Sequence, residues 1–141
     1  MFTRLLPLAI AAGALACSSC GNSSGLYPVT GKLLFNGEPA VGAMVTFIRK
    51  DSADPLKDST PQGIVGEDGT FTLAGPAGEG APPGEYVVLV EWKEGAGSQR
   101  ARAPALSAPD RLQKKYLDPK KPLLTATVEA KSNTLPPFEV K

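Results

Sequence analysis

From residue 27 onward, apolar and polar residues alternate in short runs separated by glycine and proline. Tyr27 to Phe35 puts Val29, Gly31, Leu33 and Phe35 on one face, the two-residue period of a half-buried strand. Asn36-Gly37 follows, a pair that tolerates the positive φ angles of a tight reversal, and Ala43 to Ile48 is the next apolar run. The two runs read as a hairpin. Residues 49–62 show no periodicity and form a charged loop, Gly63 to Val65 a short strand, Glu67-Asp68-Gly69 a turn, and Thr70 to Leu73 a strand that buries Phe71 and Leu73. After a Gly- and Pro-rich loop over 75–84, Tyr86 to Trp92 is apolar on both faces for most of its length. That pattern predicts the centre of a sheet, with Tyr86, Val88, Val90 and Trp92 facing inward. Residues 93–110 connect to a single helical turn over Arg111 to Leu117, ended before Pro119. Leu123 to Ala130 alternates Leu124, Ala126 and Val128 with Thr125, Thr127 and Glu129, Ser132-Asn133 turns the chain, and Phe138 to Val140 closes an edge, since Pro136 and Pro137 donate no ladder hydrogen bonds. Seven short strands punctuated by 15 Gly and 14 Pro predict an all-β sandwich.

The first 26 residues follow a different pattern. One charge, Arg4, precedes the uncharged stretch Leu5 to Ala16, and the chain's two cysteines, Cys17 and Cys20, follow directly. A charged start, a short apolar run and small residues before a cut are the parts of an export signal, and the run is too short to cross a hydrocarbon core of roughly 30 Å as a helix. Small uncharged residues before a cysteine are what a bacterial lipoprotein peptidase requires. Gly13-Ala14-Leu15-Ala16 precede Cys17, and the more polar Cys17-Ser18-Ser19 precede Cys20, so Cys17 is the preferred lipidation site and Cys20 the alternative. Two other readings compete. Ala14-Leu15-Ala16 also fits an ordinary secretory cut that releases a soluble protein, and a CxxC redox pair would need a folded βα context that the flanking residues lack. The division is therefore a signal peptide over 1–16, a lipidated flexible tether over 17–26, and one sandwich domain over 27–141, a size suited to a single core. A thiol left unmodified is free to pair in an oxidising compartment.

Composition removes most chemistries. The chain has no histidine, which excludes His-activated nucleophiles and imidazole metal sites. Gly25 to Lys32 has the wrong spacing for a phosphate loop, and Leu33 stands where Ser or Thr would hold magnesium. Glu67-Asp68-Gly69-Thr70 lacks the alternating acidic ligands of a calcium loop. Asp51, Asp54 and Asp58 share one loop, where mutual repulsion favours solvation over a catalytic carboxylate pair. No catalytic residue, metal site or cofactor is expected.

Charge is balanced overall at +1 but divided, with 4 basic and 8 acidic residues over 21–90 against 10 and 6 over 91–141. The basic excess gathers at Arg111, Lys114, Lys115, Lys120 and Lys121, broken by Asp110 and Asp118, with Tyr116 as its one aromatic residue. Nucleic-acid binding wants a larger single-sign excess interleaved with aromatics, so nucleic acid is not an expected partner. Tyr27, Tyr86 and Trp92 could serve as sugar-stacking platforms, although the shared inward parity of Tyr86 and Trp92 points to core packing.

Three stretches carry a family resemblance: Tyr27-Pro-Val-Thr-Gly through Thr46-Phe47, then Gly66-Glu-Asp-Gly-Thr-Phe-Thr-Leu, then Pro83-Gly-Glu-Tyr-Val-Val. They resemble the carboxypeptidase regulatory-like, transthyretin-like domain. The closing Leu123 to Ala130 and Leu135 to Val140 are similar to small planctomycete-type lipoproteins of that kind. The resemblance implies a seven-stranded, prealbumin-like Greek-key sandwich used as a non-catalytic accessory module. The peptidase domain is absent, and so are the histidine motifs of the related hydrolases. The expected function is that of an exported lipoprotein, anchored to a bacterial envelope membrane, that contacts envelope proteins or has a structural role. The alternative is a carbohydrate- or glycan-binding module at the cell surface.

Overall fold

A computed structural model describes residues 25–53, 60–97 and 107–141. The described residues hold strands and turns and no helix. In chain order the strands are β1 (Val29–Phe35), β2 (Glu38–Pro39), β3 (Met44–Arg49), β4 (Gln62–Ile64), β5 (Thr70–Thr72), β6 (Ala74–Gly75), β7 (Gly78–Glu79), β8 (Gly84–Glu91), β9 (Leu124–Val128), β10 (Asn133–Thr134) and β11 (Phe138–Val140). The seven runs expected from alternation all appear, with ends shifted by one or two residues. Four two-residue segments, β2, β6, β7 and β10, add to them.

Two sheets stack as a sandwich. One has the order β7-β6-β4-β3-β8-β9, and the other gathers β2, β5, β10 and β11 around β1. β1 pairs antiparallel with β5 and β2, and parallel with β10 and β11. The amide of Leu33 donates to Gly69 while its carbonyl accepts from Ala40, so β5 and β2 share one side of β1. β10 and β11 occupy the other side as a single edge interrupted at Pro136-Pro137, as the missing proline donors require. The chain passes between sheets at β2–β3, β4–β5, β5–β6 and β9–β10.

Two expectations are corrected. Asn36 (φ 50°) and Gly37 (φ 86°) do make a tight reversal, but it joins β1 to β2. β3 instead pairs with β4 and β8 in the other sheet. A turn signal in sequence specifies a reversal and leaves the partner of the following strand open. The helical turn over 111–117 is also absent, replaced by successive hydrogen-bonded turns in which Gln113 (φ 54°) and Lys114 (φ 60°) are left-handed. The Asp110 carboxylate directs these turns by accepting from the amides of Leu112 (3.2 Å) and Lys114 (2.7 Å).

The core is the expected one. Val29, Leu33, Val45, Phe47, Phe71, Leu73, Tyr86, Val88, Val90 and Trp92 are buried, joined by Leu112, Tyr116, Val128 and Val140. Phe47 sits between Phe71 and Tyr86, with ring centroids 6.4 and 5.7 Å away. Gly31 faces inward because nothing larger fits: a Cβ there would lie 2.5 Å from Cζ of Phe71.

Candidate functional site

The candidate lipidation residues Cys17 and Cys20 lie outside the described residues, as do Asp54 and Asp58. Leu26, at the end of the expected tether, is buried, with its side chain near Gly78 of β7. Tyr27 forms an antiparallel bridge with Ala81. Leu26 and Tyr27 therefore meet the sandwich at the β7 end of the larger sheet.

The aromatic residues considered as sugar platforms are mostly in the core. The Tyr86 ring is fully buried and its hydroxyl donates to the Pro82 carbonyl at 2.7 Å. Trp92 is buried too. Its indole N–H donates to the Val41 carbonyl at 2.9 Å, Phe35 meets it edge-on at 5.4 Å, and the Arg111 guanidinium lies 3.7 Å above the ring. Tyr116 is buried, with its hydroxyl accepting from the Lys141 amide at 3.1 Å. Tyr27 is half-buried.

Burial pushes the Tyr86 pKa up, since ionising the phenol would place charge in the core. The folded pKa lies above the unfolded value of about 10, so this contribution to stability is present below that value and declines as pH rises through the folded pKa. The melting midpoint should fall on alkaline titration above about pH 10, and Tyr86→Phe should reduce that dependence. An identical alkaline profile in the variant would mean other groups set it.

The charged residues are engaged locally. Asp51 accepts a two-pronged interaction from Arg49, 3.0 Å to each oxygen, which holds its pKa below the usual carboxylate value. Asp68 accepts from the Thr70 hydroxyl at 2.6 Å and the Thr70 amide at 3.1 Å, which lowers its pKa and makes residues 66–70 a hydrogen-bonded turn. In the basic stretch, Arg111 covers Trp92, Lys115 lies 5.6 Å from the Tyr116 ring, and Asp118 accepts from the Lys120 amide. Among the described residues no cluster of three or more Asp, Glu, His or Cys side chains could hold a metal ion. No helix among them is long and apolar enough to cross a membrane.

The described residues line two open concavities. One, of about 600 Å³, lies between Glu91, Lys93 and the 107–114 segment. The other, of about 560 Å³, lies between the β9 edge and Leu135 to Phe138, with Lys50 and Glu85 at its rim. The first is lined by polar groups of the 107–114 turns and the end of β8, the second by β9 threonines beside Lys50 and Glu85.

Sequence reasoning missed two features. Asp110 is the junction of the 107–118 segment, accepting from the Trp92 amide at 2.8 Å in addition to its own turn. The other is an apolar outer face on the larger sheet, whose signal was the two-sided apolarity of the Tyr86 to Trp92 run. No family model, curated protein or solved structure matches the chain.

Proposed function

We propose that the protein is a non-catalytic β-sandwich module exported to a bacterial envelope, held at a membrane by a lipid on Cys17, and used for protein contact. The observation that carries this reading is the division of the chain. An uncharged stretch ending at Cys17 precedes a sandwich whose described core runs from Leu26 to Val140. Engagement of the Asp51, Asp68 and Asp110 carboxylates in turns and ion pairs favours a contact role over catalysis at those residues. Burial of Tyr86 and Trp92 favours protein contact over sugar stacking. The finer fold reading, a prealbumin-like Greek key of the carboxypeptidase regulatory-like kind, draws support from the parallel β1–β11 pairing and the repeated crossing between sheets.

A single acyl chain gives marginal membrane residence, whereas two or more hold stably. The full chain expressed in a bacterium should therefore fractionate with membranes, and Cys17→Ser should abolish that attachment, leaving the protein soluble or unprocessed. Cys20→Ser should remain membrane-bound. Retention of Cys17→Ser together with release of Cys20→Ser would transfer the anchor to Cys20, and release of the unmodified chain would favour the secretory cut at Ala16.

A further inference from the structure

The outer faces of the two sheets differ in kind. Around β1, the positions alternating with Val29, Gly31 and Leu33 are Thr30, Lys32 and, beside Pro39, the half-buried Leu34, and the neighbours of Thr30 and Lys32 on β5 are Thr72 and Thr70. That face is mainly polar, as a solvated sheet face should be. On the larger sheet, the positions alternating with Val45, Phe47, Val88 and Val90 are Met44, Thr46 and Ile48 on β3 and Val87 and Leu89 on β8. Cross-strand register aligns Ile64 with Met44, the exposed Gln62 with Thr46 and then Leu89, and Ile48 with the buried Val87 and then Thr125. Leu123 precedes β9 with the parity of Thr125. Among the described residues three large apolar side chains are exposed, Met44 (37%), Ile64 (67%) and Leu123 (55%), and all three belong to this face.

Isolated apolar residues on a surface are ordinary, but a contiguous patch marks a contact. With strands about 4.8 Å apart and rows about 6.8 Å apart, the six apolar positions cover roughly 200 Å² of the face. Each end of the face is closed by one base and one acid, Lys50 with Glu85 (3.7 Å) at one end and Lys93 with Glu91 (3.6 Å) at the other. A lipid surface would call for a positive rim, and a strongly charged partner for a rim of one sign. Balanced ends suit a partner that carries the same pattern reversed.

We infer that this face docks a second copy of the chain, sheet against sheet, about a two-fold axis passing near Thr46 and Leu89. The two-fold lays the Lys50–Glu85 end of one copy on the Glu91–Lys93 end of the other, so Glu85 faces Lys93 and Lys50 comes beside the Glu91–Lys93 pair, as the cross-strand register sets. Aligned sheets pack about 10 Å apart with strand directions within about 30°, and the two faces with their rims bury on the order of 1,000 Å² in total, the lower limit for a specific interface. The inference deepens the protein-contact reading and rests on it.

The test uses the chain from Gly25 onward, which contains every described ladder and core contact and has no cysteine. Sedimentation velocity from about 1 to 500 µM should show reversible dimerisation with a micromolar-range constant. Ile64→Lys combined with Leu123→Lys should raise that constant at least about tenfold at an unchanged melting midpoint, because both side chains are exposed in the single chain. Thr46→Cys, at the axis, should be cross-linked between copies by a short bis-maleimide reagent that spans the gap, and Lys32→Cys, on the opposite sheet, should not be. A monomer at all concentrations, a dimer indifferent to the lysine substitutions, or preferential cross-linking through Lys32→Cys would each overturn the second copy as occupant. The two readings separate in the full chain in cells: if the protein is monomeric but binds another envelope protein in an Ile64-dependent way, protein contact survives without self-docking, and if it is monomeric with no such binding both fail.

Discussion

Trp92→Ala should lower the stability of the chain from Gly25 onward by about 3 to 5 kcal/mol, the usual cost of truncating a well-packed large aromatic side chain. The ring closes the end of the core where three segments meet: Phe35 from β1, the Val41 carbonyl from the loop before β3, and Arg111 from the 107–118 segment. Removing it opens a cavity and also leaves the Val41 carbonyl without its donor, a further penalty for a buried acceptor. Against the roughly 5 to 15 kcal/mol typical of a domain, such a loss leaves little. In thermal denaturation followed by circular dichroism, the midpoint should fall by more than about 10 °C. A variant that melts like the parent would mean the ring contributes nothing to the core and would return Trp92 to consideration as a surface platform.

Asp110→Ala should cost about 2 to 3 kcal/mol, because one carboxylate satisfies three amides from two segments and bonds to charged acceptors are the stronger class. Its Oδ1 holds the Trp92 amide and its Oδ2 the Lys114 amide, so the side chain ties the end of β8 to the turns over 111–117. The loss should not add to that of Trp92→Ala, since the two residues share this junction and neighbours couple. The double variant, compared with the two singles by urea titration, should show a coupling of at least about 0.5 kcal/mol. Full additivity would mean that Asp110 supports only its own turn.

The strands were legible because inward parity is a local property. Val29, Phe71, Leu73 and Val128 each alternate with residues that can remain in water, and burial follows that alternation. Partner choice was less legible, since Asn36-Gly37 specifies a reversal without specifying whether β2 or β3 pairs with β1. Asp110 was read as a break in a basic stretch because the amide of Trp92 that it holds is 18 residues away. The run from Tyr86 to Trp92 was read as central because both of its faces are apolar. β8 does lie between β3 and β9, and one of its faces does line the core. Val87 and Leu89 face the other way, Val87 buried and Leu89 half-buried, so the same pattern that indicated centrality also carried the signal for an apolar outer face.

The proposal of an anchored envelope module is tested most directly by the intact mass of the mature protein recovered from the membrane fraction of cells expressing the full chain. The account predicts a chain beginning at Cys17 and carrying a diacylglyceryl group, with or without a further acyl chain on its amino group. An unmodified chain beginning at Cys17 and found in the soluble fraction would contradict it.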